Sequence, residues 1–212
     1  MATTKKHSNF KDQPEVKGKA RILESAIQCF IEGGIAHTRM IDVAKKAGVN
    51  QPLVSYYFPT LDSLYVEVIQ FVLKKVHDEV LENITPKSDR PVQILTHYIE
   101  AHFAWAQENS GYFSIGLYFY YLASFHQTFQ ELNDRIRQTG RDRIAAILYR
   151  GIEAKTFWVP AGMRVDQLAL IIQGLITGNV ILAATEKLIP WKECCALTVR
   201  TVLDLCTKKD SK

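Results

Sequence analysis

Apolar residues along this chain of 212 residues recur at intervals of three and four, the spacing that places them on one face of an α-helix. Strict alternation of apolar and polar residues, the pattern of a half-buried strand, is nearly absent. The sequence therefore predicts an all-α fold that begins with a helix through Ile22 and Phe30. Longer helices are predicted at residues 60–83, 91–108, 127–154 and 165–186, with a last helix that ends near Cys206.

Residues 38–58 have the pattern of two short helices joined by a tight turn. Ala47 is small enough to let a second helix cross close by, and Gly48 stands where a left-handed residue ends a helix. Asn50 can cap the next helix, and Pro52 falls in its first turn, where a missing N–H costs little. This arrangement predicts a helix-turn-helix.

The second helix of this pair carries no charged residue between positions 51 and 58. Its amide, hydroxyl and apolar groups would contact base edges and phosphates without forming ion pairs. Thr38 is expected to cap the first helix of the pair. The predicted DNA-contacting residues are Thr38, Arg39, Asn50, Gln51, Leu53, Ser55, Tyr56 and Tyr57.

The segment resembles the N-terminal domain of the TetR family of transcriptional repressors, over about the first third of the chain. The matching elements are a Gly33-Gly34 turn, Thr38, the run from Val43 to Asn50, and Tyr56-Tyr57-Phe58 before a new helix at Thr60. The resemblance implies a C-terminal helical domain that binds a small effector, with a dimer formed through the last two helices.

Two positions depart from the family pattern. Ser55 stands where the family has a tyrosine, and Leu61 stands where it has a lysine that contacts phosphate. Tyr56 can take the place of the missing tyrosine, and Arg39 can supply part of the phosphate contact of the missing lysine. Weaker phosphate affinity than in a typical member is therefore expected.

Net charge supports nucleic-acid binding by the N-terminal end. Of the formal charge of +4, all lies in residues 1–50, which hold nine Lys or Arg and five Asp or Glu. Residues 51–212 hold seventeen of each. This distribution favours attraction of phosphate to the N-terminal end. The first residues are polar and basic, without an apolar signal segment, so a cytoplasmic location is expected.

Aromatic residues are concentrated between Tyr98 and Phe129, where eleven of the 22 in the chain lie. Such a cluster either fills a helical core or forms the wall of a small-molecule cavity. Few acidic or basic residues lie in this stretch, so an uncharged, apolar or planar effector is expected. The predicted effector-binding residues are Tyr98, His102, Trp105, Tyr112, Tyr118, Tyr121 and Gln173.

The segment from Leu168 to Thr185 is apolar on almost every side and is nearly long enough to cross a bilayer. Gln173, Thr177 and Asn179 in its middle favour a subunit interface over a membrane span. Two glycines spaced by four would let a partner helix approach closely. The predicted dimer-interface residues are Gly174, Gly178, Ile181, Trp191 and Val202.

These features predict a helix-turn-helix domain in residues 1–60 and an effector-binding and dimerisation domain in residues 61–212. The chain is interpreted as a homodimeric transcriptional regulator, a repressor released from a palindromic operator by its effector. No cofactor and no membrane association are predicted. No metal site is predicted either, because His102 and His126 have no carboxylate or thiol at ligand spacing.

Two alternatives without DNA binding stay open. The first is a helical enzyme that uses His97 or His102 with Glu100 or Glu108, although no known catalytic motif is present. The second is an adaptor that binds protein through its aromatic surface.

Overall fold

Helices make up the described part of the chain, which in this computed structural model comprises residues 14–84, 90–186 and 188–207. No strand occurs within these ranges, and the predicted all-α class is confirmed. The helices are α1 (Pro14–Gly33), α2 (Met40–Ala47), α3 (Gln51–Tyr57), α4 (Leu61–Ile84), α5 (Pro91–Glu108), α6 (Ser110–Ala123), α7 (Gln127–Glu153), α8 (Val165–Thr185) and α9 (Trp191–Cys206).

Local signals place the start of α4 where the sequence predicts it. The Ser63 N–H donates to Thr60 Oγ1 at 3.0 Å, and the Thr60 N–H donates to Ser63 Oγ at 3.1 Å. This reciprocal pair occupies two backbone donors at the helix start that the helix itself leaves without partners. Thr60 is therefore confirmed as the N-cap.

The described residues divide into two compact units, of which the first contains those up to Val72 together with Ser114–Tyr118. Tyr65 is buried in this unit, with its hydroxyl donating to the Ile115 carbonyl oxygen at 2.7 Å. The Tyr65 ring makes edge-to-face contacts with Phe30 and Tyr118. These contacts extend the first unit beyond residue 60, where the sequence predicts a domain boundary.

The second unit contains the described residues between Leu73 and Phe113 and those after Tyr118. Its main packing pairs are α7 with α8, α8 with α9, and α5 with each of these three. Apolar side chains that face inward at helical spacing form its core. Among them are Leu95, Ile99, Phe103, Phe129, Ile144, Leu148, Leu168, Ile172, Ile176 and Val202.

A glycine near the end of α7 permits one especially close contact in this core. A Cβ atom at Gly151 would lie 2.0 Å from Cδ2 of the buried Phe157 ring. The Phe157 N–H also donates to the Gly151 carbonyl oxygen at 2.9 Å, which holds the backbone of Phe157 close to Gly151.

We expect Gly151→Ala to destabilise the second unit by about 1–3 kcal/mol, because the added methyl overpacks a closed site. Gly116→Ala in α6 is the matched control, since a Cβ there meets no atom within 4 Å. The control should be neutral or stabilising by up to about 1 kcal/mol, because alanine is the better helix former. Urea unfolding followed by circular dichroism measures both, and equal midpoints for the two variants would contradict this packing.

Candidate functional site

The first helix of the predicted helix-turn-helix begins at Met40, with Arg39 as its N-cap. The Arg39 N–H donates to Asp42 Oδ2 at 3.0 Å, and the Arg39 guanidinium also bonds this carboxylate, which lowers the pKa of Asp42. The predicted capping role of Thr38 is wrong. Thr38 is buried, and its hydroxyl donates instead to the Gly34 carbonyl oxygen at 2.9 Å, across the preceding turn.

The turn between α2 and α3 has the predicted geometry. Gly48 has φ 63° and ψ 37°, the left-handed conformation that a residue without Cβ adopts at low cost. The Gly48 N–H donates to the Lys45 carbonyl, and the Val49 N–H donates to the Ala44 carbonyl. These bonds close the end of α2 and direct the chain into α3.

Asn50 caps α3 as predicted, since its Oδ1 accepts the Leu53 N–H at 3.0 Å. Val54 and Phe58 are buried and anchor the helix from within. The other side of the helix is exposed at Gln51, Ser55 and Tyr56, with Tyr56 72% exposed. The predicted contacts Leu53 and Tyr57 are half-buried, and the Tyr57 ring packs edge-to-face against Tyr56 at 5.2 Å.

Basic side chains around α3 come from its neighbours. Arg39 is exposed at the start of α2, and Lys45 and Lys46 are exposed in its last turn. Lys46 pairs with Glu32 of α1 at 2.5 Å, which raises the pKa of Lys46. The α2–turn–α3 surface therefore combines an uncharged helix with cations at its edge, an arrangement suited to base contacts flanked by phosphate contacts.

In the second unit, three of the predicted effector-binding residues lie together on α5. Tyr98 and Trp105 are buried, and His102 is half-buried with its ring centroid 4.5 Å from that of Tyr98. His102 Nδ1 lies 2.7 Å from the Tyr98 carbonyl oxygen, and Trp105 Nε1 donates to Glu79 Oε2 at 2.8 Å. Burial lowers the pKa of His102, which favours a neutral imidazole.

The remaining predicted effector-binding residues do not gather around these three. Tyr118 belongs to the first unit, where it packs against Tyr65. Tyr121 is 60% exposed. Tyr112 lies beneath the Lys75 ammonium, 5.5 Å from the ring centroid, and Gln173 Nε2 donates to the Arg137 carbonyl oxygen at 3.0 Å. Sequence position alone could not separate these environments.

The arginines of α7 are the functional candidates that the sequence interpretation missed. Arg137, near the middle of α7, is half-buried. Its Nη1 donates to Thr177 Oγ1 at 2.9 Å, and its guanidinium carbon lies 4.5 Å from the Tyr120 ring centroid. Arg143 bonds His77 Nδ1. The aromatic cluster therefore includes cations that another helix contributes.

A separate open groove of about 650 Å³ runs between α5 and α9. Trp191, predicted as a dimer contact, lines it and packs edge-to-face against Phe103 at 6.4 Å. Cys195 also faces this groove, and burial together with the Glu100 charge raises the pKa of its thiol to about 11. The thiol is therefore protonated, and weakly nucleophilic, at neutral pH.

One face of α8 exposes apolar side chains, at Leu170, Ile171 and Leu182. Gly174 and Gly178 lie on this face, and a Cβ at either would meet no atom within 4 Å. Ile181 borders the face and is half-buried. The predicted contact Val202 lies elsewhere, because its side chain is fully buried inside its own protomer and offers no surface to a partner.

Within the described residues, α8 is the helix that is long and apolar enough to cross a membrane, with a mean hydropathy of 1.9 in its most apolar stretch. Only 33% of that stretch is buried inside the chain. Composition and length alone do not distinguish a membrane span from a helix that a partner covers.

A helix-turn-helix joined to a larger helical unit defines a class of DNA-binding regulators. Residues 22–68 match the model of a family described as bacterial regulatory proteins, tetR family. Over 55 residues the chain is 36% identical to the HTH-type transcriptional regulator RutR of Escherichia coli strain K12, covering 26% of each chain. The match thus spans about a quarter of the length of RutR.

Two solved structures share the fold. One is a proposed transcriptional regulator from Saccharomonospora viridis in complex with choline, with a TM-score of 0.80 at 16% identity, covering 91% of this chain and 99% of that chain. The other is SmeT, a Stenotrophomonas maltophilia repressor, in complex with triclosan. Its TM-score is 0.74 at 19% identity, covering 92% and 93%. These similar proteins are described as regulators of transcription, not as enzymes. Residues 22–68 are thus similar to the tetR family of bacterial regulatory proteins, and the chain shares the fold of these two regulators.

We expect Asn50→Ala to destabilise α3 by about 0.5–2 kcal/mol, because the Leu53 N–H loses its side-chain acceptor. Asn50→Ser is the matched control, since serine restores an acceptor at the cap. Hydrogen exchange of the α3 amides measures the effect directly. Faster exchange in the alanine variant alone is the expected result, and equal exchange in both variants would contradict the importance of this cap.

Proposed function

We propose that this chain is a homodimeric transcriptional regulator that binds a palindromic operator through α3 and represses transcription until a small molecule releases it. The exposed, uncharged α3, held by the Gly48 turn and the Asn50 cap, carries this proposal. The TetR-family match supports the DNA-binding role. The description of SmeT as the repressor of a multidrug efflux pump supports a repressor over an activator.

Dimer formation would bring two copies of α3 to one DNA duplex. A two-fold dimer reads successive major grooves when its recognition helices lie about 34–36 Å apart. The exposed apolar face of α8 supports this assembly, because an apolar helical face of this size is stabilised when a partner covers it. Covered in this way, α8 is a subunit interface in a cytoplasmic protein.

Release would follow from binding of an effector in the second unit. The effector would lower operator affinity by its difference in affinity for the DNA-binding and released states. For coupling of about 1–3 kcal/mol, a saturating effector shifts operator affinity roughly 5- to 150-fold. Complexes of fold relatives with choline and triclosan support a small-molecule effector. Helix α4 contributes to both units and is the element through which the change would pass.

We expect Gln51→Ala to relax the preference at one operator base pair, at a cost of about 1–3 kcal/mol in discrimination. Tyr56→Phe should weaken binding to all sequences alike, because a phosphate contact carries no base information. Fluorescence anisotropy with single-base operator variants measures both. Gln70→Ala, an exposed change on α4, is the control. An unchanged preference in Gln51→Ala would exclude base reading by this residue, and turnover without DNA binding would favour the enzyme alternative.

We expect Gly178→Leu to convert the dimer to monomer or aggregate, because leucine would hold the partner helix away from α8. The protomer itself has open space at this position, so the effect would report association and not folding of one chain. Gly178→Ala, a much smaller change, should lower dimer affinity less. Sedimentation velocity at micromolar concentration measures the assembly. A monomeric wild type, or an unchanged dimer in Gly178→Leu, would exclude this interface.

A further inference from the structure

The guanidinium groups of Arg137 and Arg143 lie close enough to Tyr98 and His102 to influence their pKa values. Within the described ranges, no carboxylate forms an ion pair with Arg137 or Arg143. Their nearest described partners are a hydroxyl, an aromatic ring and an imidazole. The charge of each guanidinium is therefore not neutralised by a directly paired carboxylate among the described residues.

Arg137 is held in place with donors to spare. The Tyr120 ring fixes one face of its guanidinium plane, and the bond to Thr177 uses one N–H of Nη1. A guanidinium carries five N–H donors in a planar fork, so most of them stay available to a ligand. A carboxylate matches this fork with two parallel hydrogen bonds.

The groups around the guanidinium cannot supply the missing negative charge themselves. Burial raises the pKa of Tyr98 and of Tyr120, so both phenols stay protonated at neutral pH. Burial and the two arginines lower the pKa of His102, so its imidazole stays neutral as well. These three groups can offer apolar surface and hydrogen bonds to a ligand, but no negative charge to the guanidinium.

We propose that the effector is an organic acid whose carboxylate binds the Arg137 guanidinium while its apolar body packs against the Tyr98 and Tyr120 rings. This inference rests on the proposed function, since it names the chemical class of the effector. It replaces the expectation of an uncharged effector, which followed from the few charges between Tyr98 and Phe129 in the sequence. The decisive cations come from α7, outside that stretch.

The same geometry disfavours a cationic effector. A quaternary ammonium such as choline would meet the positive charges of Arg137 and Arg143 near Tyr98 and Tyr120, although those rings alone would attract a cation. An uncharged amide of the same shape would leave the guanidinium donors without a negative partner and should bind more weakly. Charge therefore separates three ligand classes of similar size.

The test is isothermal titration calorimetry of the full-length protein, free of DNA, with a panel of aromatic and branched carboxylates of up to about twelve carbons. Each acid, for example 2-naphthoate, is paired with its uncharged carboxamide, and choline chloride is added as the cation. We expect at least one acid to bind, at least about tenfold more tightly than its amide, the factor that corresponds to 1.4 kcal/mol. Choline should not compete with it.

Four variants locate the carboxylate. Arg137→Gln should weaken binding of the acid at least about tenfold, and Arg137→Lys should restore part of it, because the charge returns without the planar fork. Arg135→Gln removes an exposed arginine from the same helix and should leave acid binding unchanged. Thr177→Val removes the hydroxyl that holds Arg137 without removing charge. Thermal unfolding of each variant shows that it is folded.

Several results would overturn the proposal. These are an amide that binds as tightly as its acid, acid binding that Arg137→Gln leaves intact in a folded protein, and a panel in which no acid binds. Since the titration needs no DNA, its outcome does not depend on operator binding. A wild type that binds the acid but no DNA would contradict the proposed function and leave the assignment of the acid site standing.

Discussion

The left-handed backbone at Gly48 is the constraint on which the DNA-binding surface depends. It ends α2 within one residue and sends the chain into α3 at an angle that buries Val54 and Phe58. Burial of these two residues fixes the rotation of α3 about its axis, so that Gln51 and Tyr56 have to face outward. A residue with a Cβ at position 48 would strain this turn, and the exposed face would lose its orientation.

Much of this local structure follows from short-range signals. The start of α4 at Thr60, the cap at Asn50 and the turn at Gly48 depend on a few neighbouring residues, and for that reason the sequence predicts them well. The capping role of Thr38 failed for a tertiary reason. Its hydroxyl bonds the Gly34 carbonyl across the preceding turn, and no rule based on spacing within one helix includes that acceptor.

The candidate effector site depends on packing between helices, which periodicity does not supply. Helical spacing puts Arg137 at the edge of the apolar face of α7, where it could face either solvent or a neighbour. Arg137 faces neighbouring helices, because α6 and α8 pack on that side and bring Tyr120 and Thr177 to its guanidinium. The same lack of tertiary information explains why Tyr118, Tyr121 and Val202 lie away from the sites predicted for them.

Sequence-specific DNA binding by a two-fold dimer is the central claim, and selection from a random duplex library tests it most directly. The full-length protein is incubated with the library at several salt concentrations, and the bound fragments are sequenced. The account predicts enrichment of one palindrome with half-sites about 10 base pairs apart, or a multiple of that spacing, and affinity that falls steeply with salt. Recovery of no common sequence, or of a single unpaired half-site, would contradict it.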